Sequence, residues 1–419
     1  MRRAALLICI CSIYLAKAQD KTYAMRVINA LCSEEMNGRG YVKQGDRTAA
    51  NYISKEYSSV GLKPFGSNYF QYFGFPVNYF PYDISVWLDG LQLKPGIDFL
   101  VSPDCPPLSG SYKLVYVDSE TVTIESRFKN FLWKRIRNRF VIIDKTKPWM
   151  TAEKVHQMES NTMLAKGFIY LENKLAWGVS TERKQPVKLH VLKSVASNFF
   201  RMARVEILAD ISHSYPTQNV IGYIPGTKYP DSFVVLTAHY DHLGRMGPDA
   251  LFAGANDNAS GVAMLMDMAK YYKLHPPKMS IAFICFAGEE AGLLGSAFYV
   301  SNPLFPLDKI RFLLNMDLMG TGENGMTVVN ATLFKQEYDT LVYLNDGLGY
   351  LKTVNPRGKA ANSDHYWFGE KGVRCFFVYL LGDYTFYHDV YDRPEVLGLK
   401  KYDESFKLLS RFLDTLTGN

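Results

Sequence analysis

Two adjacent glutamates, Glu289 and Glu290, stand in Phe286-Ala-Gly-Glu-Glu-Ala291, after the apolar run Ser280–Phe286 and before a helix-like Ala-Gly-Leu-Leu-Gly. Neighbouring carboxylates at a strand-to-helix junction repel each other. A metal ion with a bound water relieves that repulsion: one carboxylate ligates, and its neighbour takes the proton from the water. A solvated helix N-terminus would also favour two acidic residues through the helix dipole. For this motif alone that simpler reading suffices. Four further ligand candidates at equivalent places along the chain weigh against it.

His239 ends an apolar run in Thr237-Ala-His-Tyr-Asp-His242, with Asp241 two residues on. A ligating imidazole passes its other N–H to an acceptor, and the Asp241 carboxylate is the expected partner. His242 has no carboxylate so conveniently spaced and reads as a decoy. Asp257 lies in Gly254-Ala-Asn-Asp-Asn-Ala-Ser-Gly261 just before a helical pattern. It could be an N-cap, but its Gly- and Asn-rich surroundings suit an unusual backbone. Asp317 closes Leu313-Leu-Asn-Met-Asp317, where a carboxylate is costly unless paired or metal-bound. His388 lies in Tyr384-Thr-Phe-Tyr-His-Asp389. Two imidazoles and three carboxylates form a mixed N/O set that suits zinc. Five ligands are too many for one tetrahedral ion and enough for two if one carboxylate bridges.

The elements that must position these residues are legible as apolar runs. Phe233–Ala238, Ser280–Phe286, Ile310–Asn315 and Val373–Leu380 read as buried parallel strands. Helical patterns lie between them, at Gly261–Tyr272, Leu341–Leu348 and Glu404–Leu416. Alternating strands and helices predict an α/β fold with a mainly parallel central sheet flanked by helices. Each candidate ligand falls at or beyond the carboxyl end of a predicted strand, where open α/β sheets build their sites.

The motifs TAHYDHLG, GANDNASGVAMLMDMAKYY, FAGEEAGLLGS, LLNMDLMG and YHDVYD together resemble the co-catalytic dizinc aminopeptidase family. That family includes secreted bacterial leucyl aminopeptidases and, more distantly, the glutamate carboxypeptidases. The motifs stand in family order from about Asn219 to the C-terminus, and Leu31–Phe75 is similar to the family's N-terminal part. The resemblance implies that His239 and Asp317 hold one zinc, Glu290 and His388 the other, and Asp257 bridges. It makes Glu289 the general base and then the general acid, with a metal-bridging hydroxide as nucleophile. Asp241 would support His239, and the Asp257–Asn258 peptide bond would be cis. The implied activity is hydrolysis of the N-terminal bond of a peptide with a free N-terminus. Glutamate-carboxypeptidase-like or dipeptidase activity, with Arg357 or Arg374 in the pocket, is an alternative at the same site. Single-zinc glutaminyl cyclase chemistry and a non-catalytic receptor-like relative are the others. Ser363-Asp-His365 resembles a substrate-loop motif of the family, and Tyr384 and Tyr387 are the nearby candidates for stabilising an oxyanion.

Composition bounds the rest. A chain of 419 residues, 47% hydrophobic and rich in Tyr and Phe, has material for more than one domain. Arg2 and Arg3, the apolar stretch Ala4–Leu15 and Ala16-Lys-Ala18 read as a signal peptide over 1–18, so a secreted or periplasmic location is expected. Without Arg2, Arg3 and Lys17 the formal charge falls from +6 to +3. That balance offers no footprint for nucleic acid, and the leader's apolar run is too short for a stable membrane span. Cys32, Cys105, Cys285 and Cys375 remain after leader removal, too few for a disulfide framework, and the last two lie in apolar runs as buried thiols.

From about Phe80 the texture shifts to short strands with hairpin-like turns. Residues 79–202 therefore read as a smaller, β-rich inserted domain, loosely similar to a protease-associated domain. Residues 19–78 form the N-terminal part of the peptidase domain, and 203–419 form the part carrying the metal site. Within the insert, Phe128–Arg139 interleaves basic and apolar residues and reads as one amphipathic helix with a basic outer face.

Overall fold

The computed structural model describes residues 21–196 and 199–418; the signal peptide expected over 1–18 lies outside them. The four apolar runs form adjacent parallel strands in one eight-stranded sheet. Its members are β1 (Phe70–Tyr79), β2 (Asp210–Ile224), β3 (Tyr229–His239), β4 (Met279–Phe286), β5 (Ile310–Asp317), β6 (Gly325–Val329), β7 (Val354–Pro356) and β8 (Cys375–Leu381). Their spatial order is β1-β2-β4-β3-β5-β8-β6-β7. The pairs β4–β3, β3–β5 and β5–β8 are parallel, whereas β1–β2, β2–β4 and β8–β6 are antiparallel.

Burial on both faces explains the unbroken apolar runs. Val234, Leu236 and Ala238 of β3 pack with Ile281, Phe283 and Cys285 of β4 on one face. The helices Gly261–Leu274 and Tyr402–Thr417 cover it. Val235, Ala282, Ile284 and Phe286 point the other way, toward Tyr299, Phe305 and Phe368. The helix Gly45–Val60 ends where Gly61 turns left-handed at φ +78.

A second eight-stranded sheet is built from residues 84–207. Its order is Leu91–Gln92, Ile84–Leu88, Met202–Ile207, Leu108–Tyr116, Arg139–Asp144, Gly167–Glu172, Val187–Leu192, Phe99–Val101. Two expectations need correction here. Met202–Ile207 lies inside this sheet, between Ile84–Leu88 and Leu108–Tyr116, so the sheet continues past residue 202. Its modest alternation, with Ala203, Val205 and Ile207 inward, runs almost directly into β2, so no linker marks the change. The basic stretch is also not one helix. It is helical over Glu125–Trp133, and strand pairing captures it again at Arg139. Phe128 and Phe131 are buried, while Trp133 stays 74% exposed.

The second sheet's core also draws on residues far along the chain. Leu243, Met246, Ala250, Phe252 and Val390 pack into it. The four described cysteines are free thiols. Among the described residues, no helix is long and apolar enough to cross a membrane.

Arg39 ties the N-terminal segment to the loops beneath the strand ends. Fully buried, it donates to the carbonyls of Leu31, Tyr240, Ala253, Gly254 and Asp257 at 2.6–3.2 Å. Leaving these acceptors unpaired carries a desolvation penalty for each. Arg39→Met should therefore lower the stability of the metal-free protein by about 3 kcal/mol or more in urea unfolding. A loss below about 1 kcal/mol would contradict this role.

Candidate metal centre

The parallel registers bring the candidate residues to one edge of the sheet. His239 is paired with Phe286, the last residue of β4, and Asp317 with Tyr379 of β8. His239 and Asp317 thus end β3 and β5, Glu289 and Glu290 follow β4, and His388 follows β8. Asp257 arrives on the loop Ala255–Ser260. That loop is stitched to the end of β5. Asn258 Nδ2 donates to the Met316 carbonyl, Met319 N–H to Ser260 Oγ, and Gly320 N–H to Asn256 Oδ1. Gly254, at φ +62, is required here: a Cβ would meet the Asp257 carbonyl at 2.2 Å and the His242 ring at 2.4 Å. The Asp257–Asn258 peptide bond is cis.

All five ligand candidates converge. His239 Nε2 lies 3.4 Å from Asp257 Oδ1 and 3.4 Å from Asp317 Oδ2. His388 Nε2 lies 3.2 Å from Asp257 Oδ2 and 3.2 Å from Glu290 Oε2. The two oxygens of Asp257 are therefore divided between the two imidazoles. Donor atoms around one tetrahedral ion with bonds of about 2.1 Å stand about 3.4 Å apart, so these spacings fit two ions sharing Asp257. Each imidazole also has its outer nitrogen engaged. His239 Nδ1 faces the Asp241 carbonyl at 3.1 Å, and His388 Nδ1 faces the Trp177 carbonyl at 2.9 Å. That arrangement turns both Nε2 atoms inward, as ligation requires. Asp317 Oδ1 is buried without a hydrogen-bond partner, which is a further sign of a position made for a cation.

Charge argues the same way. Asp241, Asp257, Glu289, Glu290, Asp317 and Asp364 crowd a buried region, and among the described residues no lysine or arginine pairs with any of them. Burial pushes the Glu289 carboxyl well above its ordinary range, and the Glu290, Asp364 and Asp317 carboxylates add to it against His239. Burial would raise Glu290 too, but His388 and His242 together outweigh it and hold Glu290 down at about 2. Two adjacent glutamates are thus pushed apart, one toward holding a proton and one toward staying ionised. Burial opposes protonation of His388, yet Glu290 and Asp257 lift it to about 11. His239 is likewise held well above 6.5 by Glu289 and Asp317 against burial.

Three local expectations are corrected. The Ala291-Gly-Leu-Leu-Gly295 stretch after the glutamate pair is not helical from its start: Gly288 and Leu293 take left-handed conformations, the pair sits in a turn, and the helix begins only at Leu294. The Asp241 carboxylate does not chiefly serve His239, from which it stands 3.8 Å away. It accepts the backbone N–H groups of Glu289 at 3.1 Å and Glu290 at 3.3 Å, and so fixes that turn. His242 is no decoy: fully buried, its Nδ1 meets Glu290 Oε1 at 2.7 Å. Folding of the chain between His242 and Glu290 creates that pairing, which sequence spacing does not reveal.

Other residues fall into place around the cluster. The buried Asp392 carboxylate accepts the N–H groups of Asn256 and Asp257 and the Tyr384 hydroxyl, so Tyr384 is committed to support. Its place in YHDVYD was the available signal for Asp392. Tyr387 is half exposed and stacks on the His388 ring at 4.0 Å. Ser363, Asp364 and His365 are buried, and Asp364 rises to about 7, chiefly through burial. Arg374 pairs with Glu337 just before β8, away from the strand ends, and Arg357 donates to the Tyr379 hydroxyl.

These shifts fix the sign of a pH effect. A histidine raised from 6.5 to about 11 stabilises the metal-free fold fully below about pH 6.5, and that contribution is lost as pH rises toward 11. Ligation needs neutral imidazoles. Zinc uptake at pH 7 should therefore release protons, and the release should shrink toward pH 11. Calorimetric titrations in buffers of different ionisation enthalpy measure this. Heats independent of buffer at pH 7 would contradict it.

Comparison with known proteins bears on this centre. Residues 219–413 match Peptidase family M28. A probable zinc metalloprotease of Pyricularia oryzae is 37% identical over 28% of this chain and 24% of its own length. Aminopeptidase YwaD of Bacillus subtilis is 33% identical over 38% of this chain and 34% of its own. The chain therefore spans only about a quarter to a third of these curated relatives. Two solved structures share the fold over nearly the whole chain. An aminopeptidase from Aneurinibacillus sp. strain AM-1 superposes with a TM-score of 0.64 at 18% identity, covering 94% of this chain and 93% of that one. BSAP, a zinc aminopeptidase from Bacillus subtilis, gives 0.69 at 20% identity over 93% of each chain. The segment that is similar to peptidase family M28, residues 219–413, carries His239, Asp257, Glu289, Glu290, Asp317 and His388 in one site.

Proposed function

We propose that this protein is a secreted zinc-dependent exopeptidase, an aminopeptidase that removes the first residue of a peptide with a free N-terminus. The observation that carries the reading is the buried cluster in which Asp257 divides its oxygens between His239 and His388 while Glu289, beside them, pairs with no lysine or arginine among the described residues. His239 and Asp317 would hold one zinc, His388 and Glu290 the other, with Asp257 shared between them. When bound, zinc supplies a Lewis acid for the scissile carbonyl and makes an attacking water more acidic.

The chain's own residues supply the proton handling. With divalent ions in place Glu289 would be ionised, and it then takes a proton from the attacking water as the water oxygen bonds to the carbonyl carbon. It then delivers that proton to the amide nitrogen as the C–N bond breaks. The Asp241 carboxylate holds the Glu289 backbone in place for both transfers. Tyr387 is kept as a protonated phenol by burial and the surrounding carboxylates, so it can donate to a developing negative oxygen. The carboxylates crowded in the cluster would attract a substrate ammonium and repel a free C-terminal carboxylate, which supports an aminopeptidase over a carboxypeptidase.

A substrate panel tests the activity. Zinc-loaded protein should hydrolyse amino-acyl amides and peptides with free N-termini, and leave N-acetylated peptides and blocked peptides with acidic C-termini intact. Cleavage of the blocked acidic peptides alone would overturn the aminopeptidase reading. The division of labour between the glutamates is tested separately. Glu289→Gln should keep its zinc and lose turnover by about 10²–10⁴-fold, whereas Glu290→Gln should lose zinc. Near-normal activity in Glu289→Gln, or equal zinc loss in both variants, would contradict the assigned roles.

A further inference from the structure

We infer that the inserted segment is a working part of the metal centre, with Trp177 as the positioning residue that sets His388. This rests on the metal-centre reading above.

His388 has a left-handed backbone, φ +57, which a residue with a Cβ adopts only when its surroundings hold it there. What holds it is one residue of the second sheet's segment. The Trp177 N–H donates to the His388 carbonyl at 2.8 Å, and His388 Nδ1 meets the Trp177 carbonyl at 2.9 Å. Two bonds to one residue fix both the backbone and the ring rotation, leaving Nε2 directed at Asp257 and Glu290. His239 differs: its outer nitrogen is served by Asp241, two residues away on the same loop.

Trp177 is itself anchored in the second sheet's core. Its ring stacks on Phe252 with centroids 4.8 Å apart, and Nε1 donates to the Val101 carbonyl at 2.7 Å. A second strap comes from Lys174, whose Nζ donates to the Thr385 carbonyl at 2.5 Å and lies 3.8 Å from the Asp389 carboxylate. Val390 completes the attachment by packing into that core. The imidazole of one metal position therefore takes its orientation from the insert, while His239 and Asp317 stand at the ends of strands of the main sheet.

The test is zinc titration of the metal-free full-length chain against a competing chromogenic chelator, for wild type, Trp177→Ala, Trp177→Phe and Lys174→Met. Wild type should show two sites. Trp177→Ala keeps its backbone groups but loses their anchor, so one site should weaken by about 10–100-fold while the other is unchanged. Trp177→Phe preserves the ring stack and should recover much of that loss. Lys174 is exposed, so Lys174→Met folds whatever the fate of Trp177→Ala. It should weaken the same single site and speed amide hydrogen exchange over 385–389. A purely structural Trp177 would lower the melting temperature and weaken both sites equally. That result, or wild-type affinity together with unchanged exchange in Lys174→Met, overturns the inference. Zinc uptake by wild type at neither site would instead overturn the metal-centre reading, and the inference with it.

Discussion

Burying several carboxylates in one place, with only imidazoles as countercharge among the described residues, is the constraint that the rest of this structure answers. Asp257, Glu290 and Asp317 are close enough to one another that ionising all of them without a cation is unfavourable. In the metal-free chain the cost is met by protons: His239 and His388 are held protonated, and Glu289 and Asp317 are pushed upward by burial. Divalent ions would replace those protons. The low dielectric that makes the cluster costly when empty of cations would make their attraction strong.

Holding such a cluster together demands stiffness from the backbone. The four central strands deliver His239, the glutamate turn, Asp317 and the His388 loop to the same edge. Buried carboxylates, amides and a hydroxyl then lock the loops to one another through backbone groups. Asp241 grips the Glu289–Glu290 turn, Asp392 grips the Asp257 loop, and Asn256, Asn258 and Ser260 bind that loop to the end of β5. Arg39, from a turn more than two hundred residues earlier, collects the carbonyls beneath them. The carboxylates that do not face the metal positions thus act by fixing the backbone of those that do.

The site was legible in the sequence because its residues sit at the boundary between apolar runs and loops, where type and position are both informative. Residues buried on both sheet faces leave continuous apolar strings, so β3, β4, β5 and β8 could be read within a few residues. The antiparallel extension through β1 and β2 was less visible, since the first half of β2 is mostly exposed or partly buried and carries polar residues. His242 and Asp392 were missed for another reason: each acts through a partner brought near only by tertiary folding. Asp241 was assigned to the right neighbourhood but the wrong contact. Spacing pointed to the imidazole two residues away, whereas the carboxylate reaches across to the next strand's loop. The boundary near residue 202 was misjudged because one strand leads into the next with no Gly- or Pro-rich linker.

The central claim is that this buried cluster is a two-ion site whose protons stand in for metal. The most direct measurement is the zinc stoichiometry of the folded chain, by native mass spectrometry of protein purified without chelator and reloaded with zinc. The account predicts two ions per chain, with the apoprotein heavier in bound protons by the number that the ions displace. A folded chain that takes up no zinc would contradict it.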